Sequence, residues 1–112
     1  MNRPDLERLK LDRLVKTLKQ VATNVPFYRN KFQELRLDPE KIKSIDDLRD
    51  YPFTLKQDLR DNYTYGLFAV PLREVVRVHS SSGTTGMATV VGYSHNDIVN
   101  WSNLVARILC SA

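Results

Sequence analysis

The chain has 112 residues, 42% of them hydrophobic and 27% charged, a balance that fits one soluble globular unit and excludes a disordered polymer and a membrane-spanning protein. Lys and Arg total 17 against 13 acids, for a formal net charge of +4. The basic Arg8, Lys10, Arg13, Lys16 and Lys19 are interleaved with Asp5, Glu7 and Asp12, the pattern of a solvated helix face and not of a phosphate-tracking stripe.

The polar start Met1–Asp5 lacks the apolar core of a signal peptide, and the run Leu67-Phe68-Ala69-Val70 is far too short to span a bilayer. A cytoplasmic location with no membrane partner is therefore expected. A single cysteine, Cys110, allows no internal disulfide and has no Cys or His partners at zinc spacing; it reads as a packed helix residue with no assigned chemistry.

From Pro4 to Asn24 the residues Leu6, Leu9, Leu14, Leu18, Val21 and Ala22 recur at helical spacing, which predicts an amphipathic helix with one buried stripe. Asn24-Val25-Pro26 ends it, because the residue before proline is pushed out of the helical region, and Pro26 opens a second short helix. Phe27, Tyr28, Phe32 and Leu35 form its apolar side and are read as core packing. After a turn at Leu37-Asp38-Pro39, Ser44 and Asp47 have capping-box spacing for a short helix to about Asp50. Thr54 and Gln57 repeat that spacing, with Leu55 and Leu59 facing the core and Lys56, Asp58 and Arg60 left wet. Residues 61–69 show no clear period and predict an ordered loop turning at Gly66.

Pro71 to Glu74 makes one helical turn, and the β-branched Val75-Val76-Arg77-Val78-His79 predicts a strand. Thr89 to Tyr93 predicts its partner, so the simplest local arrangement is a hairpin. Ser94, with Asp97 at the box position, caps a last helix whose Ile98, Trp101, Val105, Ile108, Leu109 and Ala112 share a face. The chain stops inside that helix and leaves the hairpin edges unpaired, so a fragment of a larger domain is expected, with self-association as a homodimer or swapped assembly.

Between the strands lies Ser80-Ser81-Ser82-Gly83-Thr84-Thr85-Gly86-Met87-Ala88-Thr89. Two readings stand side by side. Glycines that permit close backbone approach, with hydroxyls and free N–H groups around them, form an array of donors suited to phosphate oxygens. Ser, Thr and Gly also make ordinary turns for conformational reasons. The loop is no Walker A motif, since neither Gly83 nor Gly86 begins Gly, four residues, Gly-Lys-Ser/Thr, and no Gly-x-Gly-x-x-Gly occurs. His79 adjoins the loop, but no orienting acid is identified for a catalytic base, which favours a structural or hydrogen-bonding role.

Two blocks carry a resemblance. The first is Tyr51-Pro52-Phe53-Thr54-x-Lys56-x-Asp58-Leu59-Arg60-x-x-Tyr63-x-x-Gly66-Leu67-Phe68-Ala69. The second is Val75-Val76-Arg77-x-His79-x-Ser81-Ser82-Gly83-Thr84-Thr85-Gly86, with Thr89 and Val90-Val91-Gly92-Tyr93 following. On these the chain resembles the N-terminal part of phenylacetate-CoA ligases, of the adenylate-forming superfamily. The implied fold is an α+β fragment: several short helices over 4–70, a phosphate-loop hairpin over 75–93 and a truncated helix over 95–112, together the start of a large α/β N-terminal domain.

The implied chemistry is activation of an aryl carboxylic acid by ATP to an acyl-adenylate, with coenzyme A then taking the acyl group as a thioester. The resemblance assigns Ser81, Ser82, Gly83, Thr84, Thr85, Gly86 and Thr89 to the ATP phosphates, with Mg²⁺ sharing their charge. It assigns no catalytic residue and no metal ligand to this chain, and implies that the chain is inactive alone. Where the family has Lys-Pro after the last loop glycine this sequence has Met87-Ala88, and Thr64-Tyr65 replaces a commoner Pro-Phe pair. Two other functions are weighed: a basic module for nucleic acid or another acidic partner, against which no homeodomain, zinc-finger, RNP or KH pattern appears, and a helical interaction protein whose loop is only a turn.

Overall fold

A computed structural model describes residues 2–81, 86 and 88–111. Helix α1, Arg3–Asn24, starts where the Asn2 side chain accepts a hydrogen bond from the Asp5 N–H at 2.9 Å. It stops at Val25, whose extended backbone ends the ladder while its N–H still reaches the Val21 carbonyl at 2.9 Å. Helix α2, Pro26–Glu34, begins at the next residue, because proline loses no hydrogen bond at a first helical position and has its φ preset for it. The Arg29 guanidinium turns back to the carbonyls of Ala22 and Thr23 at the end of α1, placing a cation where helix carbonyls lack partners.

α2 closes on Arg36, at a φ of 54°, with the Leu37 N–H on the Phe32 carbonyl at 2.8 Å and the Arg36 N–H on the Gln33 carbonyl at 3.0 Å. This is a Schellman closure with arginine where glycine is usual.

The corner between these helices is the core. Among the described residues only Leu18, Val25 and Phe32 are buried, Val25 at 0% exposure and Phe32 at 4%. The Phe32 ring meets Tyr51 edge-on at 5.1 Å and Tyr28 at 6.1 Å, an arrangement in which ring edges face ring π-clouds. Burial, and the carboxylates of Asp38, Asp47 and Asp50, push the Tyr51 phenol above its ordinary pKa.

The segments that follow are mostly 3-10 turns, Pro39–Lys41 and Ile45–Asp50. The capping box on the second forms as its spacing implies. The Asp47 carboxylate accepts from the N–H groups of Lys43 at 2.8 Å and Ser44 at 3.0 Å, and these bonds hold its pKa below the usual value.

The next helix departs from expectation. α3, Lys56–Asp61, is capped by Asp58, which accepts from the Leu55 N–H at 2.7 Å. Thr54 does not cap it, because its hydroxyl is paired with the Tyr28 hydroxyl at 2.7 Å. Asp58 also faces Lys31 at 3.5 Å and is half-buried, as is Arg60, whose Nε is buried with no hydrogen-bond partner among the described residues. Leu55, expected in the core, is exposed.

The loop turns as expected, with the Gly66 N–H on the Asn62 carbonyl at 2.9 Å. It is tied to α1 through the Ala69 carbonyl, which accepts from Asn24 at 3.0 Å and Gln20 at 3.4 Å. A 3-10 turn, Leu72–Glu74, leads into strand β1, Val75–Ser80, which pairs antiparallel with β2, Val90–Ser94. Helix α4, His95–Cys110, follows directly. Its box is complete: Ser94 Oγ accepts the Asp97 N–H at 3.3 Å, while Asp97 Oδ2 accepts the Ser94 N–H at 2.8 Å and its hydroxyl at 2.7 Å.

The result is the expected mixture of helices and a small antiparallel sheet, but it is open. The radius of gyration is 16.2 Å, against about 13 Å for a compact chain of this length. The accessible surface is 8798 Å², against about 6,300 Å² for a compact monomer. Much of the apolar excess lies on α4, where Ile108 is 68% and Leu109 73% exposed. Cys110 is exposed as well. It is not the packed residue that the sequence implied, because nothing among the described residues covers the end of this helix.

Candidate functional site

The register of the hairpin builds the site. Arg77 faces Tyr93, Val78 faces Gly92, His79 faces Val91 and Ser80 faces Val90, and one further step brings Ser81 opposite Thr89. There the Ser81 N–H donates to the Thr89 carbonyl at 3.0 Å. The Thr89 N–H donates to Ser81 Oγ at 3.1 Å, and the two hydroxyls are 2.7 Å apart. These bonds pair Ser81 with Thr89 in a neck just past the last paired residues of the strands. Two hydroxyls that share one hydrogen bond retain one proton between them, so the neck keeps a single O–H donor for a ligand.

Of the residues assigned from sequence, Ser81, Gly86 and Thr89 are placed by the structure. Ser82, Gly83, Thr84 and Thr85 lie outside the described residues. Gly86 has a φ of +143°, and a Cβ there would meet nothing within 4 Å. The backbone conformation therefore calls for glycine at this position, while the space around it is open to a ligand.

Three rings brace the hairpin on α4. His79 packs edge-on against Tyr93 at 5.0 Å and Trp101 at 5.9 Å, and Tyr93 stacks on Trp101 at 5.6 Å and 25°. His79 and Tyr93 are diagonal neighbours across the strands, within reach of one another as large side chains are on one face of a sheet. The role of His79 seen here is packing. Sequence reasoning missed this trio, whose signal was two large rings flanking the capped Ser94 turn.

Gly92 is a second close approach. A Cβ there would lie 2.5 Å from Phe68 Cε2 and 2.6 Å from its Cζ, so the ring of the 61–69 loop rests on bare strand backbone. Gly92→Ala is expected to destabilise the chain by about 1–3 kcal/mol in urea denaturation, and Phe68→Leu should recover most of that loss. A silent Gly92→Ala would show that the ring does not bear on the strand.

Among the described residues no group of three or more His, Cys, Asp or Glu is placed to hold a metal ion, and no helix is long and apolar enough to cross a membrane. What the neck keeps for a ligand is hydroxyl, since both of its amide N–H groups are engaged in the pairing itself.

No family model matches the chain. It is 54% identical over 108 residues to the phenylacetate-coenzyme A ligase of Escherichia coli (strain K12), covering 96% of this chain and 25% of that protein. It is 53% identical over 107 residues to the Pseudomonas putida enzyme of the same name, covering 96% and 24%. The chain thus spans about a quarter of the length of the curated relatives it matches. Among solved structures it is similar to a 2-hydroxyisobutyryl-CoA ligase crystallised with 2-HIB-AMP and CoA in the thioesterification state. That match has a TM-score of 0.86 at 32% identity, over 97% of this chain and 24% of that one.

Proposed function

We propose that this chain, which has the sequence and fold of the N-terminal part of a phenylacetate-CoA ligase, supplies the ATP-phosphate loop of an acid-thiol ligase of the adenylate-forming type. The supporting observation is that the likeness runs through both strands of the hairpin, whose register brings the assigned Ser81 and Thr89 together as a hydroxyl pair. In the proposed reaction a carboxylate oxygen of an aryl acid attacks the α-phosphorus of ATP, pyrophosphate leaves, and coenzyme A displaces AMP from the acyl-adenylate to give the thioester. The 2-hydroxyisobutyryl-CoA ligase holds an acyl-AMP and CoA in its own structure, which supports ATP and CoA as substrates here.

Residues Ser81 to Gly86, with Thr89, are the proposed grip on the β- and γ-phosphates. They stabilise the charge that gathers on departing pyrophosphate through fixed backbone and hydroxyl dipoles. Mg²⁺ is a proposed companion of those phosphates. The described residues offer it no carboxylate cluster, and no step is assigned to it. In this reading 4–70 is a helical support, 75–93 the loop hairpin and 95–112 a bracing helix, in a cytoplasmic protein without a nucleic-acid partner.

The test joins these 112 residues to the remaining three quarters of the Escherichia coli relative. The chimera is expected to release pyrophosphate with ATP and phenylacetate and to form the CoA thioester, while the 112-residue chain alone does neither. A chimera that stays inactive although folded, or turnover by the chain alone, would overturn the proposal.

A further inference from the structure

Adjacent residues of β2 are gripped from opposite faces. Side chains alternate across a strand, and the register puts Tyr93 on one face with Arg77, His79 and Val91, and Gly92 on the other with Val78. On the first face the Trp101 ring stacks on Tyr93 at 5.6 Å and meets His79 edge-on at 5.9 Å. On the second, the Phe68 ring rests so close to Gly92 that a Cβ there would lie 2.5 Å from its Cε2. α4 leaves β2 at the Ser94 cap, and Trp101, about two turns into the helix, comes back to the strand.

Trp101 is not a core residue. It is 42% exposed, and what it covers is the flank of the hairpin, away from the corner of Leu18, Val25 and Phe32. Among the described residues the sheet has two strands, and a hairpin by itself is marginally stable at best, so its own ladder does not fix the direction in which it holds its tip. Thr89 lies four residues before Tyr93, about 13 Å along an extended strand, so a tilt of about 10° at Tyr93 carries the Ser81–Thr89 neck sideways by about 2 Å. A misplacement of about 1 Å in a reacting site can cost roughly 100-fold in rate. A small tilt of the hairpin is therefore enough to matter.

We propose that Trp101 is a positioning residue for the phosphate loop: through Tyr93 and His79, and against Phe68 on the far face, it holds the neck on the line that aims the loop at departing pyrophosphate. The inference rests on the function proposed above. Trp101 acts in it through the strand and touches no reacting atom.

In the chimera, Trp101→Leu keeps apolar bulk and loses the flat face that stacks on Tyr93. Its kcat for pyrophosphate release is expected to fall by roughly tenfold or more, with KM for phenylacetate within about threefold of the parent value, and Trp101→Phe should recover most of the loss. The second step of the reaction separates aim from fold. Thioester formation from supplied phenylacetyl-adenylate and CoA, in which no pyrophosphate departs, is expected to run at the parent rate in both variants. Tyr93→Leu removes the same stack from the strand side; it should repeat the pattern and add little to Trp101→Leu in the double variant.

Unchanged pyrophosphate release in Trp101→Leu, an equal loss in the two steps, or a Trp101→Phe variant as slow as Trp101→Leu overturns the proposal. Where one of the two leucine variants does not fold, the other carries the test. If neither folds, the stack is a support of the fold and the proposal is overturned as well. A chimera inactive before any substitution counts against the proposed function and takes the positioning role with it, whereas an active one whose two steps respond alike to Trp101→Leu counts against the positioning role alone.

Discussion

Replacing Phe32 by alanine is expected to unfold the 112-residue chain at room temperature, seen as loss of helical circular dichroism and of a cooperative urea transition. Truncating a buried phenylalanine costs about 3–5 kcal/mol, and small domains have only about 5–15 kcal/mol in all. This chain belongs at the lower end, with three buried residues among those described and the ring of Phe32 joining α2 to Tyr51 and Tyr28. Phe32→Leu keeps most of the apolar volume and should retain a cooperative transition at a lower midpoint. A Phe32→Ala chain that melts like the parent would mean that the corner of α1 and α2 does not hold the fold.

The second large effect belongs to the loop. In the chimera, Gly86→Val is expected to reduce the rate of pyrophosphate release by roughly 100-fold or more, the loss that follows removal of one preorganised donor from a site of developing negative charge. A β-branched residue cannot hold the φ of +143° found at Gly86, so the loop must take another path and its amide groups lose their aim. Because a Cβ at this position meets no atom within 4 Å, the melting temperature should change little. That separates a failed grip from a failed fold. Unchanged kcat and unchanged KM for ATP would leave the loop as a turn only.

These two positions mark what a reader of the sequence could and could not see. The break at Val25-Pro26, the boxes at Ser44 and Ser94 and the two β-branched runs are local: each depends on residues within one turn or one strand, so their chemistry is visible in the sequence itself. The start of α3 is not local. Thr54 has the spacing of a cap, but Tyr28 lies 26 residues away in sequence and takes its hydroxyl, leaving Asp58 to do the capping.

The site divides in the same way. That glycines and hydroxyls gather between two strands is plain from the residues. That Ser81 and Thr89 are paired at the neck follows from the hairpin register, which the sequence leaves open by a residue or two. Phe68 over Gly92 comes from elements brought together only by folding, and no periodicity announces it. The apolar stripe of α4 was legible, but its exposure was not, since a pattern shows which face is apolar and not what covers it.

The stacking of Trp101 on Tyr93, with His79 at their edge, has an optical consequence. Trp101 is the chain's sole tryptophan, so tryptophan fluorescence, excited selectively at the red edge beyond the tyrosines, originates at the seam between the loop-bearing hairpin and α4. Events that part strand from helix register in that one indole, without a label and against no background from a second.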